Sequence, residues 1–259
     1  MKALIGYNGF VGSNLKKKIK FQKIYNSKNI NKIKMHKFTE VYCAAPHSTK
    51  FWSNKNPAKD KKIIIDLIKN LKLINCKKFI HISSLDVYPK KSYLDENFNI
   101  YKSKTNKYGE NRKLLENFII NHFKDYLIIR LPALFGTNLK KNALFDLLNN
   151  KKIRVNKKST FQWYNLQYLP NHIKILKKNK IKIINLVSEP IKFEDILSFF
   201  NKKKLINLTK QKFFKSSILK YNFFTIYGSL FKKKGNYIFS KNEVLNQLSD
   251  YVIKYKKLN

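Results

Sequence analysis

The sequence has few acidic residues, few arginines and few glycines. Its 259 residues include 15 Asp and Glu against 55 Lys and Arg, which gives a formal net charge of +40. Only Arg112, Arg130 and Arg154 are arginines. Sites that recognise phosphates or bases favour the bidentate guanidinium, so we attribute the lysine excess to a compositional bias of the surface. Nucleic acid is therefore expected to bind only nonspecifically, with a steep salt dependence.

Cysteine and long apolar runs are also scarce. Cys43 and Cys76 are too few for a disulfide framework and have no metal-ligand spacing with any histidine, so we expect reduced thiols and no metal site. No stretch approaches the ~18 consecutive apolar residues of a membrane span. The first predicted strand starts at residue 2 with no signal peptide before it. These features predict a folded, cytoplasmic protein without a membrane span.

Apolar runs alternate with amphipathic segments along the chain. Strands are predicted at residues 2–5, 21–25, 40–44, 78–83, 126–130 and 181–186, and helices at 11–20, 57–73 and 106–123. This alternation favours an α/β fold with a Rossmann-type, doubly wound parallel sheet, which binds ligands at the carboxyl ends of its strands. We expect a Rossmann domain at residues 1–160. Residues 161–259 are expected to complete the sheet and form a small C-terminal α/β substrate lobe, in which the lysine-rich segment 201–234 is the hardest to place.

Three of the seven glycines, Gly6, Gly9 and Gly12, fall within the first twelve residues. They are spaced GxxGxxG between a predicted strand and a predicted helix. Glycine permits a tight turn and a close backbone approach to a ligand, and the N-terminus of a helix favours a phosphate. In a chain so poor in glycine, this cluster predicts a dinucleotide site.

Further motifs follow in a fixed order along the chain. They are GYNGFVG at the start, VYCAAP at 41–46, FIHISSLDVYP at 79–89, YGENRKLLE at 108–116, RLPALFG at 130–136 and NLVSEPIKFEDIL at 185–197. In this order they resemble the extended short-chain dehydrogenase/reductases, the NAD-dependent epimerase/dehydratase family, similar to UDP-galactose 4-epimerase. The resemblance covers roughly residues 1–200.

The resemblance implies catalytic roles for Ser84, Tyr108 and Arg112. In the family, a Tyr hydroxyl is the general acid/base for hydride transfer at a sugar carbinol, and a Ser holds the substrate oxygen. A phenol with an ordinary pKa of about 10 needs a nearby cation for this role, and the fourth residue after it lies on the same helix face. The family has Lys there, and this chain has Arg112. The alternative is that Arg112 forms a surface pair with Glu116 in a protein that binds cofactor without turnover.

The resemblance also implies cofactor contacts. Backbone amides of Phe10 and Val11 would face the pyrophosphate, Ala44 and Ala45 would lie beneath the adenosine, and Leu131 and Pro132 would lie near the nicotinamide. The end of the second strand carries no acid, although NAD sites usually offer one to the ribose. Asn26 can bond a ribose hydroxyl and Lys28 can neutralise a ribose phosphate, which favours NADP slightly over NAD.

The expected function is that of an NAD(P)-dependent epimerase or reductase acting on a nucleotide-linked sugar, and the resemblance implies surface polysaccharide biosynthesis and a homodimer. Lys50, Trp52, Lys55 and residues 161–164 are weaker candidates for the sugar side. One alternative is a catalytically impaired NAD(P)-binding regulatory or scaffold protein. Another is a lysine-rich RNA-binding protein that stacks bases on exposed aromatic residues. These would be Phe213, Phe214, Tyr221, Phe223 and Phe224.

Overall fold

The structure, a computed structural model, describes residues 1–46, 49–207 and 211–258. The chain forms two compact units that alternate along the sequence. The first comprises Met1–Lys90, Glu96–Leu131 and Gln167–Asn185, and the second comprises Lys91–Asp95, Pro132–Leu166 and Leu186–Asn259. Within the described ranges, no helix is long and apolar enough to cross a membrane. Residues 208–210, which belong to the lysine-rich segment, lie outside the described residues.

A parallel sheet of six strands forms the centre of the first unit. Numbered in chain order, the strands are β1 (Lys2–Ile5), β2 (Lys23–Tyr25), β3 (Lys37–Cys43), β4 (Asn75–Ser84), β5 (Tyr126–Leu131) and β9 (Ile183–Asn185). Their order is β2-β1-β3-β4-β5-β9, and every neighbouring pair is parallel. The predicted Rossmann-type sheet is confirmed. The classic arrangement has a further strand outside β2, whereas here a 3-10 helix at Ile30–Met35 leads from β2 to β3.

The helices of the first unit are α1 (Phe10–Lys18), α2 (Lys50–Lys55), α3 (Pro57–Leu71), α4 (Lys107–His122) and α6 (Leu169–Lys178). Helices α1, α3 and α4 agree with the predicted segments to within a few residues, and α2 was not predicted. The apolar core contains side chains of α3 and α4 and of the central strands, including Ile64, Leu71, Phe79, Leu115 and Ile119, all fully buried. The burial of this helix pair places the first turn of α4 close to the carboxyl end of β4.

The second unit holds the short strands and the last helix. Strand β6 (Ala133–Phe135) pairs with β8 (Trp163–Asn165), and β7 (Thr160–Phe161) pairs with β10 (Ile191–Lys192). Its helices are α5 (Ala143–Leu148), α7 (Phe193–Lys202) and α8 (Lys241–Leu258). A capping box precedes α8, because the Ser240 amide donates to the Glu243 carboxylate (2.7 Å) and the Glu243 amide donates to Ser240 Oγ (3.3 Å).

The aromatic residues proposed for RNA stacking do not share one exposed face. Phe223 is buried, Tyr221 stacks on Phe161, and Phe224 packs edge-on against Tyr93 and Tyr237. Of the five candidates, Phe214 alone is exposed. Most of these rings therefore pack within the second unit, which removes the observation that would favour an RNA-binding surface.

Candidate active site

The glycine turn joins β1 to α1 by close backbone contacts. The Gly6 amide donates to the Tyr25 carbonyl at 2.8 Å, and its backbone has φ of +83°, which disfavours a side chain. A Cβ at Gly6 would lie 2.8 Å from the Ala44 carbonyl oxygen, and a Cβ at Gly12 would overlap the Gly6 carbonyl. Both positions therefore require glycine, as the motif predicts.

The N-terminus of α1 opens beside this turn. Gly9 is the N-cap, and Phe10 and Val11 begin a helix of nine residues. The first amides of a helix have no partner within it, and the helix dipole favours an anion there. No acidic residue lies in the first turn, and the lysines cluster in the last turn. The turn therefore fits the diphosphate of a dinucleotide in its backbone shape and in its charge.

A groove of about 670 Å³ lies next to the turn within the first unit. Gly6, Asn26 and Ala45 line it from the strand ends, and Asp66 and Asn70 line it from α3. Asp66 is thus an acidic residue in the lining of this groove, and the sequence analysis did not select it. Because it lies on a helix far along the chain, no local pattern at the strand end could reveal it.

Asn26 and Lys28 differ in their environments. The Asn26 side chain donates to the Tyr7 hydroxyl at 3.1 Å and accepts from the Lys28 amide at 2.9 Å, so its orientation is fixed by the turn. The Lys28 side chain is exposed. Ala44 donates its amide to the Ile5 carbonyl at 2.9 Å, which places it at the end of β3 beside the glycine turn.

Ser84 ends β4 and caps the 3-10 turn Leu85–Val87. Its Oγ accepts from the Asp86 amide at 3.2 Å and lies 3.5 Å from the Asp86 carboxylate. Lys50 of α2 forms an ion pair with that carboxylate. Ser84 is half-buried and is oriented by a carboxylate that a cation holds in place.

Gly109 brings the first turn of α4 onto this segment. A Cβ at Gly109 would overlap the Asp86 carbonyl oxygen. Thr105, just before the helix, donates its hydroxyl to the Asp86 and Tyr88 carbonyls at 3.2 and 2.9 Å. The helix turn that carries Tyr108 therefore packs directly against the turn that follows Ser84. Sequence analysis did not assign this role to Gly109. The rarity of glycine in this chain and the position of Gly109 next to Tyr108 were a signal that could have found it.

Tyr108 and Arg112 stack on one face of α4. The guanidinium carbon of Arg112 lies 4.5 Å from the centroid of the half-buried Tyr108 ring. Arg112 Nη2 donates to Asp60 Oδ1 of α3 at 3.0 Å, and both side chains are buried. The alternative prediction, a surface pair between Arg112 and Glu116, is wrong. The two residues lie on neighbouring turns of α4, but each forms its ion pair with a residue on another element.

Glu116 instead pairs with Arg130 of β5 in the core. Arg130 donates to the Glu116 carboxylate from Nε and Nη2, the shortest bond being 2.7 Å, and Ser83 donates its hydroxyl to the same carboxylate. Arg130 Nη1 also donates to the Tyr88 hydroxyl at 2.9 Å. Burial raises the pKa of Tyr88 to about 12. This network ties α4 to the carboxyl ends of β4 and β5.

The remaining candidates lie in separate places. Leu131 is buried at the end of β5, and Pro132 begins the next segment of the second unit. Trp163 and Tyr164 are buried in that unit, and Trp52 is about one-third exposed in the first. Within the described residues, no group of three or more His, Cys, Asp or Glu could hold a metal ion.

Comparison with known proteins gives the family. The sequence model of the NAD dependent epimerase/dehydratase family matches residues 22–154, just over half of the chain. The chain belongs to this family. The predicted resemblance is confirmed, although the matched region begins after the glycine turn. No curated protein matches this member of the epimerase/dehydratase family.

Solved structures share the fold of this epimerase/dehydratase-family protein. One is UDP-glucose 4-epimerase from Thermotoga maritima with UDP-glucose, at 15% identity over 100% of this chain and 99% of that chain, with a TM-score of 0.75. A second is UDP-glucuronic acid 4-epimerase from Bacillus cereus in complex with NAD, at 17% identity over 90% of each chain and a TM-score of 0.67. A third is the NAD-dependent NDP-hexosamine 5,6-dehydratase TunA, at 12% identity over 99% and 97% and a TM-score of 0.73.

Proposed function

We propose that the protein is an NAD(P)-dependent epimerase or reductase that acts on a nucleotide-linked sugar. The observation that carries the proposal is the packing of Gly109 on the Asp86 carbonyl, which brings the Tyr108 turn of α4 to the Ser84 end of β4. Family membership and the glycine turn support it independently. Surface polysaccharide biosynthesis, a cytoplasmic location and a homodimer remain predictions.

The residues of the turn and of the strand ends would hold the cofactor. The backbone of Gly6, Gly9, Phe10, Val11 and Gly12 would bind the diphosphate, because the turn is closely packed and opens at a helix N-terminus. The remaining proposed contacts are Ala44 and Ala45 at the adenosine and Leu131 and Pro132 at the nicotinamide. A bound nicotinamide cofactor would supply the hydride acceptor and donor for this reaction.

Two side chains would act on the sugar, and a third would act on Tyr108. Tyr108, as the phenolate, removes the proton of the reacting sugar hydroxyl as a general base, and the resulting phenol later returns it as a general acid. Ser84 Oγ donates to the sugar oxygen and fixes its position. Arg112 would act through Tyr108, because its guanidinium lies over the Tyr108 ring and would stabilise the negative charge carried there during the proton transfer.

The choice between NAD and NADP depends on two charges near the groove. We propose NAD, because Asp66, which pairs with the exposed Lys69, lines the groove, and its carboxylate would disfavour a ribose phosphate. The preference for NADP predicted from the exposed Lys28 stays a prediction. Titration of wild type, Asp66→Asn and Lys28→Ala with both cofactors tests the choice: selective loss of NAD affinity in Asp66→Asn supports NAD, and selective loss of NADP affinity in Lys28→Ala supports NADP.

Replacement of Tyr108 by Phe tests the proposed activity. We expect saturable cofactor binding to survive, and conversion of UDP-sugars, followed by proton NMR of the anomeric signals, to fall by ~10²-fold or more. Tyr255→Phe is the matched control, because its hydroxyl bonds Asn149 in the second unit. Equal turnover by Tyr108→Phe and wild type would contradict the proposal. Cofactor binding by the wild type with no turnover of any tested sugar would instead favour a regulatory protein.

A further inference from the structure

Asp60 is a charged residue in the buried stripe of α3. The other buried residues of this helix are Ile64, Leu67 and Leu71, which continue the stripe at helical spacing. The Asp60 side chain has no exposed surface, and that of Arg112 is 4% exposed. A buried carboxylate is costly unless a cation and further donors compensate it. Arg112 and the Asn111 side chain, which donates to Oδ2 at 2.8 Å, provide that compensation.

We propose that Asp60 is a positioning residue of the proposed redox site, which holds the Arg112 guanidinium against the Tyr108 ring and offsets its charge there. This inference rests on the proposed function. It gives a physical reason for arginine at a position where the family has lysine: Nη2 binds Asp60 at 3.0 Å while the guanidinium carbon stays 4.5 Å from the ring centroid. The planar guanidinium can do both at once, since its face stacks on a ring and its edge donates hydrogen bonds.

The other charges on the elements packed against α4 are mostly compensated. Asp86 pairs with Lys50, and Glu116 pairs with Arg130. On α4 itself Lys113 pairs with Glu110, while Lys107 is exposed. Burial lowers the pKa of His81 to about 4, so this residue of β4 is uncharged at neutral pH. From α2 and α3, Lys55 and Lys61 contribute exposed ammonium groups, which solvent screens.

Removal of the Asp60 charge therefore takes away the carboxylate that the buried Arg112 guanidinium binds beside the Tyr108 ring. The midpoint of the Tyr108 titration should therefore lie at lower pH in the Asp60→Asn variant than in wild type. If Asp60 had only a structural role, its replacement would lower activity but would leave the midpoint of the Tyr108 titration unchanged.

The test is a titration of the full-length protein, without added cofactor, labelled at the tyrosine ring carbons and followed by carbon NMR. The Tyr108 signal is identified among the 15 tyrosines by its absence from Tyr108→Phe. Asp60→Asn should shift its midpoint to lower pH, and the control Asp125→Asn, which removes a half-exposed carboxylate paired with Lys78, should not. A folded Asp60→Asn variant with the wild-type midpoint would overturn the proposal.

If Asp60→Asn does not fold, the double variant Asp60→Asn/Arg112→Met replaces it, because it leaves neither charge buried alone. In this variant the midpoint of the Tyr108 titration should rise above that of wild type, because the guanidinium next to the Tyr108 ring has been removed. An unchanged or lower midpoint would overturn the proposal. The titration needs neither cofactor nor sugar, so its failure is distinguishable from the failure of the proposed function, which is measured by cofactor binding and turnover.

Discussion

Replacement of Glu116 by Gln should destabilise the protein more strongly than most single substitutions. The Glu116 side chain has no exposed surface, and its carboxylate accepts bonds from Arg130 and from Ser83. Glutamine keeps the shape but removes the charge, so the guanidinium of Arg130, 3% exposed, is left without its counter-ion.

The magnitude follows from the burial of this pair. Breaking a buried ion pair by changing one partner typically costs about 3–5 kcal/mol, because the remaining charge stays desolvated. Arg130 keeps its bond to the Tyr88 hydroxyl, which offsets a small part of the penalty, so we expect the free energy of unfolding to fall by about 3 kcal/mol. A typical domain has about 5–15 kcal/mol in total. The double variant Glu116→Gln/Arg130→Met, which removes both charges, should lose less than Glu116→Gln alone.

Urea unfolding at pH 7, followed by circular dichroism, measures these changes. Asp66→Asn is the control, since it breaks an exposed pair with Lys69 and should cost at most about 0.5 kcal/mol. A loss below about 1 kcal/mol for Glu116→Gln, or a double variant less stable than the single one, would refute the argument that burial of the unpaired charge dominates.

Two further predictions concern the glycine turn and acid stability. Gly12→Ala places a Cβ against the Gly6 carbonyl, so cofactor affinity measured by calorimetry should fall at least ~10-fold. Ser13→Ala is the control, and an unchanged affinity of Gly12→Ala would mean that the cofactor binds elsewhere. Burial lowers the pKa of His81 and of His172 to about 4, below the unfolded value of about 6.5. The unfolded chain binds these protons more readily, so the free energy of unfolding should fall as pH drops from about 6.5 to 4, by up to about 3 kcal/mol for each histidine. Urea midpoints that stay constant over this window would contradict this assignment, and His172→Phe should remove part of the slope.

The central sheet could be predicted because its strands are short apolar runs between helical segments. Residues 2–5 were predicted as a strand and form β1. The glycine turn could also be predicted, because the close backbone contacts that require its glycines arise largely within a short stretch of sequence. The pairing of β9 with β5 was less accessible, since the pattern of apolar runs has no information on which strands are neighbours in the sheet.

The least predictable part of the site is the contact between elements. Helical spacing suggested Glu116 as the partner of Arg112, but the partner is Asp60, on a different helix. The Asp66 side chain reaches the groove in the same way, from α3. Such contacts depend on how two helices pack over the sheet, and a pattern within one helix does not encode them.

The most direct measurement of the central claim is NAD-dependent conversion of a panel of UDP-sugars by wild type and Tyr108→Phe, with cofactor binding measured on both. The account predicts that both proteins bind cofactor saturably and that only the wild type converts a sugar. Conversion by Tyr108→Phe at the wild-type rate, or a wild type that binds no nicotinamide dinucleotide, would contradict it.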